Sequence, residues 1–369
     1  MIDIKRPQDC VGCEACSQKC PVQCISMESD NKGFWYPLVD LERCINCGLC
    51  ERVCPVINQA DNRRPIDVYA ANNENATVRY NSSSGGVFGA LASYIINRGG
   101  VVFGAKFDCE WDVVHAYSET LSGIIDFQGS KYVQSRIGTA FTDAESFLKQ
   151  GRKVLFSGTP CQIAALRLFL RKDWGDQLVL VDIVCHGVPS PLVWQDYLRT
   201  LSRLKGANAG KNTVFSSLNM IPVITGIKFR DKRLGWEKYG FSVHSAATVG
   251  SSKNSVFPCV DNVESKEDGY ELMFEPMHEN MYMQGFLKDL YLRPSCYECP
   301  TKSGKSGSDI TLGDYWGIQR YYPSLYDARG VSLVLTNTGR GEDLLNKVGI
   351  ALNLTDFDMS IIHISQPTR

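Results

Sequence analysis

Cys10-Val-Gly-Cys13-Glu-Ala-Cys16-Ser-Gln-Lys-Cys20-Pro21 recurs 34 residues later as Cys44-Ile-Asn-Cys47-Gly-Leu-Cys50-Glu-Arg-Val-Cys54-Pro55. Each copy is a C-x2-C-x2-C-x3-C-P run, the spacing with which thiolates hold a 4Fe–4S cubane. In such a pair, three closely spaced cysteines take one cubane and the fourth reaches across to the other. One centre is therefore expected on Cys10, Cys13, Cys16 and Cys54, and the second on Cys44, Cys47, Cys50 and Cys20. Zinc would be satisfied by two C-x-x-C pairs and has no use for a further cysteine followed by proline. A disulfide scaffold belongs to an oxidising compartment, and Met1–Pro7 contains no apolar run of the secretory kind. Cys24 falls outside both quartets and reads as a small buried thiol.

The remaining composition bounds the role. A chain of 369 residues has room for two or three domains. Its 44% apolar content is that of a globular protein, and its net charge of −1 leaves no electrostatic footprint for nucleic acid. No lysine-arginine block suits an anionic membrane surface, and no apolar run approaches the ~20 residues of a membrane span. Leu178–Val184, the best candidate, is short and carries Asp182. A cytoplasmic, reducing setting is expected. Residues 1–58 read as a two-cluster 4Fe–4S domain of bacterial-type ferredoxin fold with little regular structure, and polar 59–66 as a linker. Residues 67–369 read as a larger mixed α/β core, giving an α+β / α/β chain overall.

Within that core, Ser82-Ser83-Ser84-Gly85-Gly86 precedes an apolar helical stretch that ends near Gly99, so a serine-capped helix is expected. Strands are expected over 101–107, 113–117, 153–157, 178–184 and 331–336, with others near 227–230 and 239–243. Helices are expected over 143–150, 162–170, 279–291 and 341–348. Ser190-Pro191 supplies an N-cap and first-turn proline for a helix through Leu204. The Gly/Asn-rich 205–219 and Ser-rich 247–255 read as surface loops.

Cys161 and Cys185 each follow an expected strand, and Cys296-Tyr-Glu-Cys299 is a C-x-x-C between Pro294 and Pro300. Cysteines at the ends of neighbouring strands share one edge of a sheet, where a C-x-x-C loop can join them. Four thiolates there suit another cubane; zinc or simple buried thiols remain open on spacing alone. Cys109 and Cys259 have no partner pattern. Ser84-Gly85-Gly86 opens a helix, where free N–H groups favour a pyrophosphate, although a plain cap explains it equally.

Ser83–Phe88, Gln128–Ser135, Gly158-Thr-Pro-Cys-Gln162, Val184-Cys-His-Gly-Val-Pro-Ser190, Cys296–Cys299 and Asp309–Gly317 together resemble the family of coenzyme F-420 hydrogenase/dehydrogenase beta subunits. The resemblance runs from the linker to about residue 335 and implies a FAD-binding core with an iron-sulfur centre beside the flavin. It implies cofactor contacts from Ser84, Gly85, Gly86, Lys131, Tyr132, Ser135, Gly158 and Thr159, and cluster ligation by Cys161, Cys185, Cys296 and Cys299. His186, beside a candidate ligand, is the expected proton relay. Clusters pass single electrons and hydride carriers take two, and a flavin converts between them. The expected function is an iron-sulfur flavin-dependent oxidoreductase that passes electrons between 4Fe–4S centres and, through FAD, a two-electron organic carrier such as coenzyme F-420. A redox partner protein such as a ferredoxin is expected. Reduction of another metabolite, or service as an electron-transfer component of a larger complex, is the alternative.

Overall fold

The computed structural model describes residues 1–208, 221–248 and 270–356. Most of the two expected loops, and Cys259, lie outside the described residues; what is described of the loops, 205–208 and 247–248, continues a helix and a strand.

The N-terminal 58 residues are not without regular structure. A hairpin of β1 (Ile25–Ser29) and β2 (Trp35–Val39) pairs antiparallel, Ile25 opposite Val39. On either side of it the 34-residue repeat is repeated in the backbone. Short helices Ala15–Gln18 and Leu49–Arg52 occupy equivalent places. Left-handed φ values occur at Gly12 (67°) and Glu14 (58°), and again at Asn46 (55°) and Gly48 (71°), each pair 34 apart. The positions alternate glycine with a non-glycine residue, so the conformation is imposed by the loop geometry rather than by one residue type.

The core is a three-layer α/β arrangement. Its strands are β3 (Asp67–Asn72), β4 (Val101–Phe107), β5 (Val113–Ser118), β6 (Val154–Gly158), β7 (Leu178–Ile183), and after a separate antiparallel sheet of β8 (Ile221–Asp231), β9 (Gly240–Thr248) and β10 (Tyr270–Pro276), also β11 (Ile310–Asp314), β12 (Ser332–Thr336) and β13 (Ala351–Thr355). The main sheet has the order β13-β3-β12-β11-β7-β6-β4-β5, with β11, β7, β6 and β4 mutually parallel and the outer strands antiparallel.

The period of two decides which helix covers which face. Val101, Phe103, Val154, Phe156, Leu178 and Leu180 point to one side, against helices Ala140–Lys149 and Pro160–Leu170. Val102, Leu155, Val179 and Val181 point to the other, against Val87–Ile96 and Gly339–Leu345. The expected helix over 279–291 is shorter, Met281–Leu287: Asn280 caps its start by accepting from the Met283 N–H, and Asp289 at φ 60° turns the chain away. Ser190 does cap the helix Pro191–Asn208, accepting from the Val193 N–H at 3.2 Å.

The N-terminal unit is welded to the first face rather than tethered to it. Val11, Cys13, Ala15 and Val53 share one hydrophobic cluster with Ile137, Phe141 and Phe169. The Glu14 carboxylate is buried (7% exposed) and accepts from the Ile137 and Gly138 N–H groups at 2.9 and 3.1 Å. Lys19 pairs with Glu145 at 3.2 Å and lies 4.0 Å from the Phe169 ring. Even the 59–66 segment is held, since the Arg63 N–H donates to Ser303 O at 3.1 Å and its guanidinium to Ser308 O. Replacing Glu14 by Ala strands two donors at a buried junction and is expected to cost on the order of 3 kcal/mol. Glu14→Gln, which keeps one acceptor, should lose less; anaerobic calorimetry of the full chain checks both.

Candidate functional site

Two hollows in the N-terminal unit sort its cysteines. The first is lined by Cys10, Cys13, Cys16 and Cys54 under Ile2, Met27 and Pro37. The second is lined by Cys20, Cys44, Cys47 and Cys50, together with Cys24. These are the crossed quartets expected from the spacing, and each can hold one cubane. Backbone donors face the sulfurs: the Gly12 N–H lies 3.4 Å from Cys10 Sγ, and the Ile2 N–H 3.2 Å from Cys50 Sγ. Such bonds favour thiolate and orient ligands. Burial pushes the Cys13 thiol well up, with Cys16, Cys54 and Cys10 adding repulsion. Four crowded thiolates there need a cationic core, which iron-sulfide supplies and an apolar filling would not. Cys24 is the buried thiol the sequence suggested, at 4% exposure, but it sits at the second hollow with its Sγ 3.4 Å from Cys20 Sγ. No spacing rule signals that; the turn from Cys20 into β1 places it.

A third quartet assembles at the end of the parallel strands. Cys161 opens the helix Pro160–Leu170 directly after β6, and Cys185 lies two residues past β7. β6 and β7 are parallel neighbours with Gly158 opposite Asp182, so both chains emerge at the same edge. Cys296, on the short helix Pro294–Tyr297, and Cys299 come from a loop bridged to the strand-end segment through Pro189 and Leu292. The Val188 N–H lies 3.4 Å from Cys296 Sγ. Gly187 (φ 144°) permits the approach, since a Cβ there would stand 3.3 Å from Cys296 Cβ and 2.7 Å from Leu292 Cδ1. Burial pushes the Cys161 thiol up to about 12 and the Cys296 thiol up to about 11, and Cys299 repels both; Cys185 is the exposed member. Among the described residues no three His, Cys, Asp or Glu side chains close around a single ion.

The residues expected around a flavin fall into two groups, and the chain itself employs nearly all of them. Ser84 Oγ donates to Val331 O at 2.8 Å, and the Gly85 N–H to Ser332 Oγ at 2.9 Å. A Cβ at Gly85 would meet Ala71 O at 2.3 Å, so this turn packs backbone against β3 and β12. The expected serine cap is replaced by Gly86 at φ 85°. Ser83 Oγ, 2.7 Å from Ser130 Oγ, ties the turn to the neighbouring loop, where Lys131 Nζ donates to the carbonyls of Asp126, Gln128 and Gly129. Desolvation lowers that ammonium to about 7.

In the second group the Thr159 N–H donates to Gln162 Oε1 in a capping box, and Gln162 Nε2 donates to Ser135 Oγ at 2.9 Å. Ser135 then lies 3.0 Å from His115 Nδ1, and His115 Nε2 3.1 Å from Ser157 O. Because a carbonyl can only accept, Nε2 carries the proton and Ser135 donates to Nδ1. Ser135 is thus buried structure, and His115, unsuspected in the sequence, is its partner. Gly158 passes beside Gln162 and His115, its missing Cβ 3.0 Å from Gln162 Oε1 and 3.5 Å from His115 Nε2. Tyr132 stacks on Phe286 (centroids 4.5 Å apart), and the same ring meets His186 edge-on at 4.8 Å. His186 Nε2 is 2.6 Å from Asp289 Oδ1.

Burial lowers His115 to about 4 from an ordinary 6.5. Between those values the unfolded chain binds a proton that the folded chain refuses, so stability should fall as pH drops through 6.5 and level off below about 4. His115→Gln is expected to flatten that slope relative to wild type, as read by urea unfolding across the range.

Comparison with known proteins places these features. Residues 151–358, more than half of the chain, match the family described as the C terminus of the coenzyme F420 hydrogenase/dehydrogenase beta subunit. Residues 9–58 and 40–97 each match a 4Fe-4S dicluster domain. The F subunit of the F(420)H(2) dehydrogenase of Methanosarcina mazei is 22% identical over 181 residues, 47% of this chain and 51% of its own length. The chain thus spans about half the length of that relative. The 7Fe ferredoxin of Hydrogenibacillus schlegelii is 41% identical over 51 residues, 13% of this chain and 59% of its own. A solved chain of the F420-reducing NiFe hydrogenase complex of Methanosarcina barkeri aligns over 83% of this chain and 90% of its own, at 15% identity and a TM-score of 0.49. No helix among the described residues is long and apolar enough to cross a membrane. With the match over 151–358 joined to an N-terminal dicluster segment, the chain belongs to the family of coenzyme F-420 hydrogenase/dehydrogenase beta subunits.

Proposed function

We propose that the chain is an iron-sulfur flavoprotein that passes electrons between three cysteine-held 4Fe–4S centres and a two-electron organic carrier of the coenzyme F-420 class. The observation that carries this reading is the gathering of Cys161, Cys185, Cys296 and Cys299 at one edge of the sheet. When bound, the clusters supply single-electron steps, and FAD supplies the exchange between one and two electrons.

The chain's own residues do the positioning. At the first quartet the left-handed turn at Gly12 aims its N–H at Cys10 Sγ, and at the second the Ile2 N–H of the N-terminal segment faces Cys50 Sγ. The third is held between two parallel strand ends and a loop, which fixes its distance from the sheet. Of the residues lining the second hollow, Cys47 is exposed and Ile45 (61%) stands out from the protein. A protein electron donor or acceptor would meet the chain there. His186, oriented by Asp289 and seated against Phe286, can hold a proton at the edge of the third quartet. The residues expected to contact FAD directly do not fit it as they stand: Ser84, Gly85, Lys131 and Ser135 are committed to their own chain, and a flavin at the Ser84–Gly86 turn would have to displace those bonds. FAD in this reading is supported by family membership.

Anaerobic purification with iron, zinc and flavin measured per chain tests this. About twelve irons, no zinc and one FAD are expected. Cys296→Ser should bring the iron to about eight while the N-terminal centres remain. Eight irons in the unaltered chain would remove the third centre. Turnover of F-420 by the isolated chain separates an enzyme from a component that only relays electrons, and its failure beside turnover of another metabolite would favour a reductase of that compound.

A further inference from the structure

Arg293 is wholly buried, at 0% exposure, between the two domains. Its Nε donates to Cys10 O at 2.8 Å, its Nη2 to Trp35 O at 2.9 Å and its Nη1 to Gln134 Oε1 at 3.1 Å. The guanidinium also faces Tyr36 at 4.4 Å and Phe34 at 5.4 Å. All three acceptors are neutral, and no carboxylate pairs with it among the described residues. A buried cation without a counter-charge is costly. The surroundings supply that charge once the quartets are filled, because a cubane with four thiolates is a net anion. On one side Arg293 bonds the carbonyl of Cys10, a member of the first quartet. On the other its backbone O accepts from the Cys296 N–H at 2.8 Å, its N–H donates to Val188 O at 2.9 Å, and its charge acts on both Cys161 and Cys296. Gly12 makes room for it: a Cβ there would lie 2.7 Å from Nη1.

We propose that Arg293 is the shared counter-cation of the first N-terminal centre and the third centre, holding them at a fixed separation and raising the reduction potential of both. The inference rests on the third-centre reading above. Lysine could supply the charge but not the planar fork that reaches three acceptors in three directions.

The test uses the full chain, purified without oxygen, with EPR-monitored potentiometric titration and iron content as readouts. Gln134→Glu sets a carboxylate against Nη1 and cancels the cation while leaving it in place; Arg293→Gln removes it. Both should lower the potentials of the Cys10-side and Cys296-side centres, leave the Cys44-side centre unmoved, and keep iron per chain at the wild-type value. Arg293→Lys should keep both potentials near wild type with reduced thermal stability. Unmoved potentials in Gln134→Glu at full iron content would overturn the inference, as would a shift at one centre alone. About eight irons in the wild-type chain would instead overturn the third-centre reading, and with it the sharing.

Discussion

Two buried charges at one interface organise this molecule. Glu14 and Arg293 point across the junction from opposite sides, the carboxylate into the N–H groups that precede Ala140–Lys149, the guanidinium into the carbonyls of Cys10 and of Trp35 at the start of β2. Neither lies on the surface, so the domains cannot slide or separate without exposing unpaired polar groups. The hydrophobic cluster from Val11 to Phe169 stabilises the contact, and the hydrogen bonds fix its register. That distinction matters for electron transfer, which needs constant separations between centres. A tethered domain on a flexible linker would not provide them, whereas here the 59–66 segment is itself pinned by Arg63.

The parts of this arrangement legible in the sequence were those set by short-range geometry. The eight N-terminal cysteines are spaced by the demands of a cubane, and the structure sorts them around two hollows in the crossed manner that spacing requires. Five strands of the main sheet, β4, β5, β6, β7 and β12, were legible as apolar runs, whereas β3, β11 and β13 were not expected. Cys161 and Cys185 were legible as a pair because each follows a strand, and parallel strands end at a common edge. The role of Cys24 was not legible. It depends on a turn whose path no local spacing rule encodes.

The serine-glycine turn shows the limit of composition. Ser84-Gly85-Gly86 before a helix has the composition of an anion-binding terminus, and glycine there permits a close approach. The approach is real, but the partner is the protein's own backbone: Ala71 O and the Ser332 amide occupy the space a Cβ would need. Composition reports that something comes near; it does not report what. The same holds for Lys131 and Ser135, whose polar atoms bond carbonyls and His115 that only the tertiary fold brings close. His115, Arg293 and Asp289 went unnoticed for the same reason, since each acts through partners distant in sequence.

The exposure of the three quartets gives the chain a direction. The second quartet has Cys47 at the surface beside buried Cys50, the first has Cys13 buried under Ile2 and against the core with no exposed member, and the third, with Cys185 exposed, stands at the strand ends beyond Arg293. Under the proposed function, a route from a protein partner to a small molecule in the α/β core would run from the second hollow, through the first, across the interface. The buried centre is the one whose potential the protein can tune most, because a low dielectric strengthens every nearby charge. It is also the one whose Cys10 carbonyl accepts from the buried Arg293 guanidinium. Burial there has a cost in desolvation and gives control over the centre that links the two domains.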